Sequence, residues 1–293
     1  MDAPATTRLA VVKTYKLYVA GKFTRSESGR HDPAHDHLGA HAANVPRGSR
    51  KDVRDAVKAA RGAFAAWQGR TAYNRGQILY RLAEALEARA PELAGSTARL
   101  RGMDPGQARA EIEGAVDCLV HYAGWTDKLH PLLGEVSPVA LPYFAFSSPE
   151  PTGVVAVLPP EEPDLLALVA EIAPPLAAGN TVVAVVSERW PLPSLDLAEV
   201  IAVSDVPAGV VNLISGRRVE LLPHLAGHRD VNAVAAAGAG PEESAQVTEL
   251  ASETVKRVQS GRAINYLDPA ARQSLGRIEP WLELKTAWHP VGA

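Results

Sequence analysis

Apolar positions recur in three different rhythms along the chain. Between residues 49 and 125 the rhythm is helical. Val53, Ala56, Val57, Ala60, Phe64 and Trp67 fall on one helical face, and Ser49-Arg50-Lys51-Asp52 ahead of them forms a capping-box pattern. A second helix is predicted over about 73–97, with Ile78, Leu79, Leu82, Leu86, Ala90 and Leu93 on its stripe. Gly102, Pro105 and Gly106 break the chain. Ile112, Ala115, Val116, Leu119 and Ala123 then mark a third helix. Stripes of this kind are core-packing faces.

From residue 153 the rhythm changes to short, continuous apolar runs. Val154 to Leu158, Thr181 to Val186, Val210 to Ile214 and the weaker Val231 to Ala237 read as four strands. Helical stretches are predicted between and after them, over 165–178, 194–204, 220–226 and 242–258. Strands apolar on both faces and alternating with helices predict a parallel sheet covered on both sides, a doubly wound, Rossmann-like α/β core. The tail follows a third rhythm. Leu282, Leu284, Thr286 and Trp288 alternate with Glu283 and Lys285, so one more strand is expected there. Such a strand must pair, either with the chain's own N-terminal strand or with a sheet edge of another subunit. At the other end, Lys16-Leu17-Tyr18-Val19 reads as a strand turned by Ala20-Gly21-Lys22, and residues 26–48 read as loop with one further short strand.

Composition narrows the function classes. The chain has 293 residues, 46% of them hydrophobic, with a formal charge of −3. This balance gives no electrostatic reason to expect a nucleic acid or an anionic membrane surface as partner. The single cysteine, Cys118, excludes a disulfide within the chain and a zinc site built from several thiolates. Residues 1–10 carry no apolar core of a secretory signal, and the apolar stretch 165–186 is interrupted by Glu171, Pro174, Pro175, Gly179 and Asn180, so a cytoplasmic location is expected.

Five segments, in order, resemble one family. They are Lys16 to Phe23, Asp117-Cys118-Leu119-Val120-His121-Tyr122-Ala123-Gly124-Trp125, Ile172-Ala173-Pro174-Pro175-Leu176-Ala177-Ala178-Gly179-Asn180-Thr181-Val182-Val183, Val206-Pro207-Ala208-Gly209-Val210-Val211-Asn212, and Leu282-Glu283-Leu284-Lys285-Thr286-Ala287-Trp288. Together they resemble the aldehyde dehydrogenase superfamily. The resemblance implies an N-terminal arm over 1–48 and a dinucleotide-binding-type domain over 49–260. Within that domain the helical part covers 49–148 and the Rossmann-like part 149–260. It also implies a C-terminal oligomerisation tail over 261–293, in which Leu282, Leu284, Thr286 and Trp288 serve assembly.

The departures from that pattern bear on function. The family follows its first strand with Pro-Trp-Asn-Phe-Pro, whose asparagine donates to the oxyanion of the tetrahedral intermediate. Here the stretch is Pro160-Glu161-Glu162-Pro163-Asp164, and a carboxylate at Glu162 has no proton to donate. Loss of one such donor lowers the rate about a hundred- to a thousand-fold. The family's ribose-binding lysine is replaced by Val185, while the accompanying glutamate survives as Glu188. Its Thr-Gly-Ser turn is replaced by Ala237-Gly238-Ala239-Gly240, which keeps the glycine as Gly238 and loses the serine at Ala239. Pro160, Glu188 and Gly238 are therefore the vestigial cofactor positions, and Glu162, Val185 and Ala239 the degenerate ones. No cofactor is assigned, and any NAD binding is expected to be weak. Gln259-Ser260-Gly261 stands where the family's Glu-Leu-Gly-Gly motif carries its general base, and the domain with the nucleophilic cysteine is missing. Cys118 lies on the third helix instead, as a small buried residue.

Other candidates have plainer readings. His31, His35, His37 and His41 with Asp32 and Asp36 are a histidine-rich stretch that could ligate zinc, nickel or copper, but read first as a solvated loop. No metal site is assigned. Arg217-Arg218 follows the third strand, where a phosphate could sit, and Glu161, Glu162 and Asp164 form an acidic cluster at the expected cofactor rim. The sequence thus favours a non-catalytic subunit, homo-oligomeric or joined to a complete aldehyde dehydrogenase. An NAD(P)-dependent oxidoreductase acting on aldehydes and a homodimeric nucleotide-binding module remain as alternatives.

Overall fold

A computed structural model of the chain describes residues 11–291, so the polar segment 1–10 lies outside the described residues. Five short strands come first: β1 (Lys13–Thr14), β2 (Leu17–Val19), β3 (Lys22–Thr24), β4 (His31–His35) and β5 (His41–Pro46). The stretch 26–48 is therefore mostly an antiparallel β4–β5 hairpin, with β1 alongside β5, rather than loop with one strand. On these strands Ala34, Ala43 and Val45 are buried while His31, His35 and His41 are exposed, and that burial pins the strands.

Helices follow. α1 (Arg50–Gln68) begins with the predicted capping box, in which Ser49 and Asp52 satisfy each other's backbone N–H groups. The single helix expected over 73–97 is two, α2 (Ala72–Ala88) and α3 (Ala90–Arg101), separated at Arg89. Pro91 explains the break: with no N–H and a fixed φ, proline suits the first turn of a new helix. α4 (Pro105–Ala123) and the short α5 (Leu129–Leu133) complete the group. Next come β6 (Glu135–Ser137), inside the 49–148 part read as helical, and β7 (Tyr143–Pro151), which crosses its end at 148.

The Rossmann-like part is β8 (Val154–Leu158), α6 (Asp164–Ala178), β9 (Thr181–Val185), α7 (Pro191–Val203), β10 (Val211–Ile214), α8 (Arg218–Ala226), β11 (Ala233–Ala237), α9 (Pro241–Ser252) and β12 (Arg257–Gly261). The last helix stops at Ser252, six residues before its expected end at Val258. Residues 257–261 instead form a fifth parallel strand beside β11. The domain boundary read at 260 thus falls inside a strand. The sheet order is β12-β11-β8-β9-β10-β2-β3, with β2 antiparallel to β10 at one end. Its parallel strands reverse direction of growth between β8 and β11.

Burial on both faces explains the continuous apolar runs. Val155 and Val157 of β8 pack into one cluster with Leu82, Leu119 and Leu168, while Val154, Ala156 and Leu158 pack into another with Val53, Val57 and Leu221. Each fully buried Val or Leu side chain contributes about 1.5–3 kcal/mol. No helix among the described residues is long and apolar enough to cross a membrane.

The tail forms β13 (Leu282–Pro290), the outer strand of a three-stranded sheet β13-β7-β6. It pairs along its whole length with β7 of the same chain, from Leu282 opposite Pro151 to Pro290 opposite Tyr143, so the chain's N-terminal strand is not its partner and its other edge is unpaired among the described residues. The predicted alternation is present in the register, yet only Leu282 of the four alternating residues is buried.

One buried side chain joins the sheet to this tail. Asn180 accepts from Gly153 N–H (2.8 Å) and Thr152 Oγ1 (2.9 Å), and donates to Pro175 O (3.1 Å) and Trp281 O (2.9 Å). Its truncation strands buried backbone groups on three segments. Asn180→Ala is therefore expected to lower unfolding free energy by about 2–4 kcal/mol, read from urea denaturation midpoints.

Candidate functional site

In sheets of this topology ligands sit outside the carboxyl ends of the strands, in the crevice where the strand order reverses. Four loops meet there: Pro159 to Pro163 after β8, Val186 to Trp190 after β9, Ser215 to Arg217 after β10, and Gly238 to Gly240 after β11. Gly238 adopts φ +78°, and a Cβ at that position would lie 3.0 Å from Pro160 Cβ. Only glycine fits both constraints, so the walls from β8 and β11 touch at the crevice floor.

Two clefts flank this point. One, of about 690 Å³, is lined by Pro160, Gly238, Ala239, Ser244 and Arg262. The other, of about 310 Å³, is lined by Asp32, Ser187, Glu188, Ser215 and Arg217. Arg218 makes contacts on both sides. Its Nη1 donates to Pro159 O (2.6 Å), its Nε to Glu243 Oε1 (2.5 Å), and its backbone N–H to Glu188 Oε2 (3.0 Å). One guanidinium therefore ties the mouth of β8 to the first turn of α9. Arg217, the other half of the pair, lines the smaller cleft. Sequence pattern marked the arginine pair but not this bridge.

The acidic cluster read at the rim is not an open array. Glu161 accepts from Ser187 Oγ (2.6 Å) and Arg189 N–H (2.9 Å), which fixes the β9–α7 loop. Glu162 accepts from Trp190 Nε1 (2.8 Å) and pairs with Arg189 (3.1 Å), so its carboxylate faces that loop. Asp164 is completely buried and pairs with Arg101 (3.2 Å), which also holds Glu111 at 2.6 Å. Arg101 thus serves two buried carboxyls, with Glu162 at 3.8 Å. Burial pushes the Asp164 carboxyl up to about 7 and raises Glu111 as well. One guanidinium does not offset the burial of this much negative charge, so the most buried carboxyl holds its proton up to about pH 7.

The remaining sequence candidates are scattered. Val185 is buried in the apolar cluster shared with Leu221 and Leu158, and Ala239 joins the same cluster. Cys118 is fully buried, and burial pushes its thiol up to about 12, far from a reactive thiolate. His37 Nδ1 contacts Arg99 O (3.1 Å), and His41 Nε2 contacts Ala43 O (3.1 Å). Among the described residues no three His, Cys, Asp or Glu side chains gather into a metal-binding group. Sequence reading also passed over Glu171 as a mere interruption of an apolar helix. It is buried and accepts from Tyr266 Oη (2.5 Å) and Arg277 Nη2 (2.6 Å), which fastens the segment before β13 onto α6. A lone carboxylate in an otherwise apolar helix was the available signal.

With this geometry in view, comparison with known proteins places the chain. The aldehyde dehydrogenase family pattern matches residues 23–261. The chain belongs to the aldehyde dehydrogenase family. It is 34% identical to a (Z)-2-((N-methylformamido)methylene)-5-hydroxybutyrolactone dehydrogenase of Acinetobacter baylyi over 250 residues, covering 84% of this chain and 50% of that protein. It is 35% identical to human mitochondrial aldehyde dehydrogenase over 224 residues, covering 73% of this chain and 42% of the relative. A betaine aldehyde dehydrogenase from Staphylococcus aureus, solved in complex with NAD+, superposes with a TM-score of 0.79 at 26% identity, covering 83% of this chain and 49% of that one. The chain spans about half the length of these relatives.

At the edge where this fold takes a dinucleotide, several polar groups are engaged by the chain itself. A pyrophosphate needs N–H groups at the start of α9, yet the first turn of α9 carries Glu242 and Glu243, whose charges oppose an anion there. Arg218 is engaged by Glu243 and Pro159 O, while Arg262 lines the cleft beside the start of α9. Glu188 is engaged by the Arg218 N–H, and Val185 offers no polar group.

Asp164 generates a pH prediction. A carboxyl held above its unfolded value gives stability that is full below pH about 4 and is lost as pH rises through about 7. In Asp164→Asn that loss is expected to disappear. Guanidinium midpoints measured at about pH 5 and pH 8 should lie closer together than in the parent chain.

Proposed function

We propose that this chain is a non-catalytic aldehyde dehydrogenase-type subunit that assembles with a catalytically complete aldehyde dehydrogenase as a structural or regulatory partner. The observation that carries this reading is the bridge from Arg218 to Glu243 and Pro159 O, which sets the chain's own charges across the strand ends between the two clefts. Two further observations support it. The one thiol is buried, and Gln259-Ser260-Gly261 lies on β12 without a carboxylate to act as base. For the partner, the sheet β13-β7-β6 offers an apolar face, with Val136, Phe144 and Phe146 exposed at 62%, 48% and 37%. Exposed aromatic groups of this kind mark association surfaces.

The rival reading, an NAD(P)-dependent oxidoreductase acting on aldehydes, draws on the names of the relatives. It requires an accessible nucleophile and a general base from residues that do not provide them.

Purified chain incubated with NAD or NADP and an aldehyde series is expected to form no reduced cofactor, and Cys118→Ser is expected to change nothing. Aldehyde-dependent NADH formation that the Ser variant abolishes would overturn the proposal. The parent chain should show no thermal shift with millimolar NAD, whereas a ligand at about 100 times its Kd adds about 2.7 kcal/mol of stability. Co-expressed with the complete aldehyde dehydrogenases of its source organism, the chain should co-elute with one of them, and Phe146→Glu should lower the co-eluting fraction at least about tenfold, about 1.4 kcal/mol. Failure to co-elute with any of them sinks the partner reading.

A further inference from the structure

Away from the strand ends, cations gather in a cleft between the start of α1 and the end of α8. It holds about 730 Å³, more than either cleft at the strand ends. Arg50, Lys51 and Arg54 line it from α1, and His224, His228 and Arg229 from α8 and the turn after it. Among the described residues Glu27 is the one carboxylate in its lining. The whole chain carries a charge of −3, so the cleft reverses the prevailing sign.

Three of these cations stand where a helix least favours them. The start of a helix carries partial positive charge and suits acids, yet α1 begins with Arg50, Lys51 and Arg54. Asp52 is taken up by the capping box and by Ser26 (2.7 Å). Asp55 pairs with Lys51 (3.8 Å) and Arg54 (3.4 Å). Arg50 and Arg229 enter no salt bridge among the described residues. Burial and the Arg50 charge hold His224 below the ordinary histidine range. Burial does the same for His228, on which Asp230 and Lys256 act in opposite senses. His228 Nδ1 accepts from Asp230 N–H (3.1 Å), so its own ring proton sits on Nε2 as a donor.

This set describes a ligand. Glu27 and Asp55 set against the four cations leave two positive charges, which the roughly two negative charges of a phosphate monoester balance. Three of the four cations are arginines, whose planar forks match phosphate oxygens in pairs. The N–H groups of α1 are not the recognition element, because the capping box already serves that end. The cleft is larger than a bare phosphate needs, and Val53 and Pro223 add apolar lining, so the phosphate arrives on a small organic body. Convergence of cations from two elements onto one concavity suits a small molecule better than the flat surface of an acidic macromolecule.

We infer that this cleft binds a small organic molecule through a terminal phosphate group held by Arg50, Arg54 and Arg229. Neither a dinucleotide nor a partner subunit takes part, so the site stands or falls separately from the subunit reading.

Inorganic pyrophosphate, whose two phosphates are both terminal, is the probe. It is titrated calorimetrically into the full chain without divalent cations, in about 0.15 M sodium chloride, which screens loose surface attraction beyond about 8 Å. Saturable one-to-one binding is expected. Citrate, a carboxylate anion of similar charge, should bind at least about tenfold more weakly, since it lacks the phosphate geometry that the arginines match. NAD, whose pyrophosphate is esterified at both ends, should not displace the probe. Arg50→Glu and Arg229→Glu should each weaken pyrophosphate binding at least about tenfold. Arg50→Glu also places an acid at the start of a helix, so its melting temperature should hold or rise, which separates lost binding from lost folding. Lys58→Glu makes the same charge change at an exposed position of α1 outside the cleft and should leave binding nearly unchanged. Absence of saturable binding, citrate binding as tight as pyrophosphate, displacement by NAD, or equal losses from Lys58→Glu and Arg50→Glu would each overturn the inference.

Discussion

The Asn180 carboxamide is the point on which the seven-stranded sheet and the three-stranded sheet of the tail both depend. It sits where α6 ends and β9 begins, and its oxygen and nitrogen reach backbone groups at Gly153, Pro175 and Trp281. An amide can accept and donate at once without carrying charge, so it can be buried among backbone groups at no ionic desolvation cost. Gly153 opens the parallel sheet and Trp281 opens the tail strand, so one neutral side chain sets their relative position. Asn212 and Asn232 repeat the device along the same edge of the sheet. The first holds Ala20, Val182 and Gly209, and the second accepts from Val154 N–H.

The opposite edge is built from charge. Arg218, Glu243, Glu188, Glu161, Ser187 and Arg189 connect the loops that follow the parallel strands. In a dinucleotide-binding fold those loops are the usual place for a phosphate and a ribose. Here many of their polar groups bond one another, while the buried Arg218 Nη2 has no partner among the described residues. A fold can therefore keep its architecture while its binding edge becomes a structural seam, because the packing that specifies the sheet lies in the two apolar clusters and not at the loop tips.

Much of this was legible in advance. The continuous apolar runs at Val154 to Leu158 and Thr181 to Val185 named buried parallel strands, since only a sheet covered on both faces needs them. The capping box at Ser49 fixed the start of α1. Short polar strands were harder to read. The histidine-rich hairpin and β12 are held by register with neighbours far along the chain, and their own composition carries little periodic signal. Pro160 and Gly238 do touch, with Glu188 in the neighbouring cleft, but the residue that bridges the strand ends, Arg218, gave no local sign of its partners.

The sequence by itself determined the fold class, the order of its parallel strands and helices, the burial of Cys118 and the alternation of the tail. Each is a local pattern, set by side-chain periodicity and by residues that start or stop an element. Tertiary structure alone decided which strand receives the tail, where the charges of Glu161, Glu162 and Asp164 go, and that Arg218 bridges β8 and α9. Those outcomes depend on distances between groups separated by tens to hundreds of residues. Arg101 meets Asp164 across 63 positions, and Lys285 meets Glu150 across 135. An unpaired buried charge or an open sheet edge is costly, so the fold places such partners together, and no local pattern records that placement.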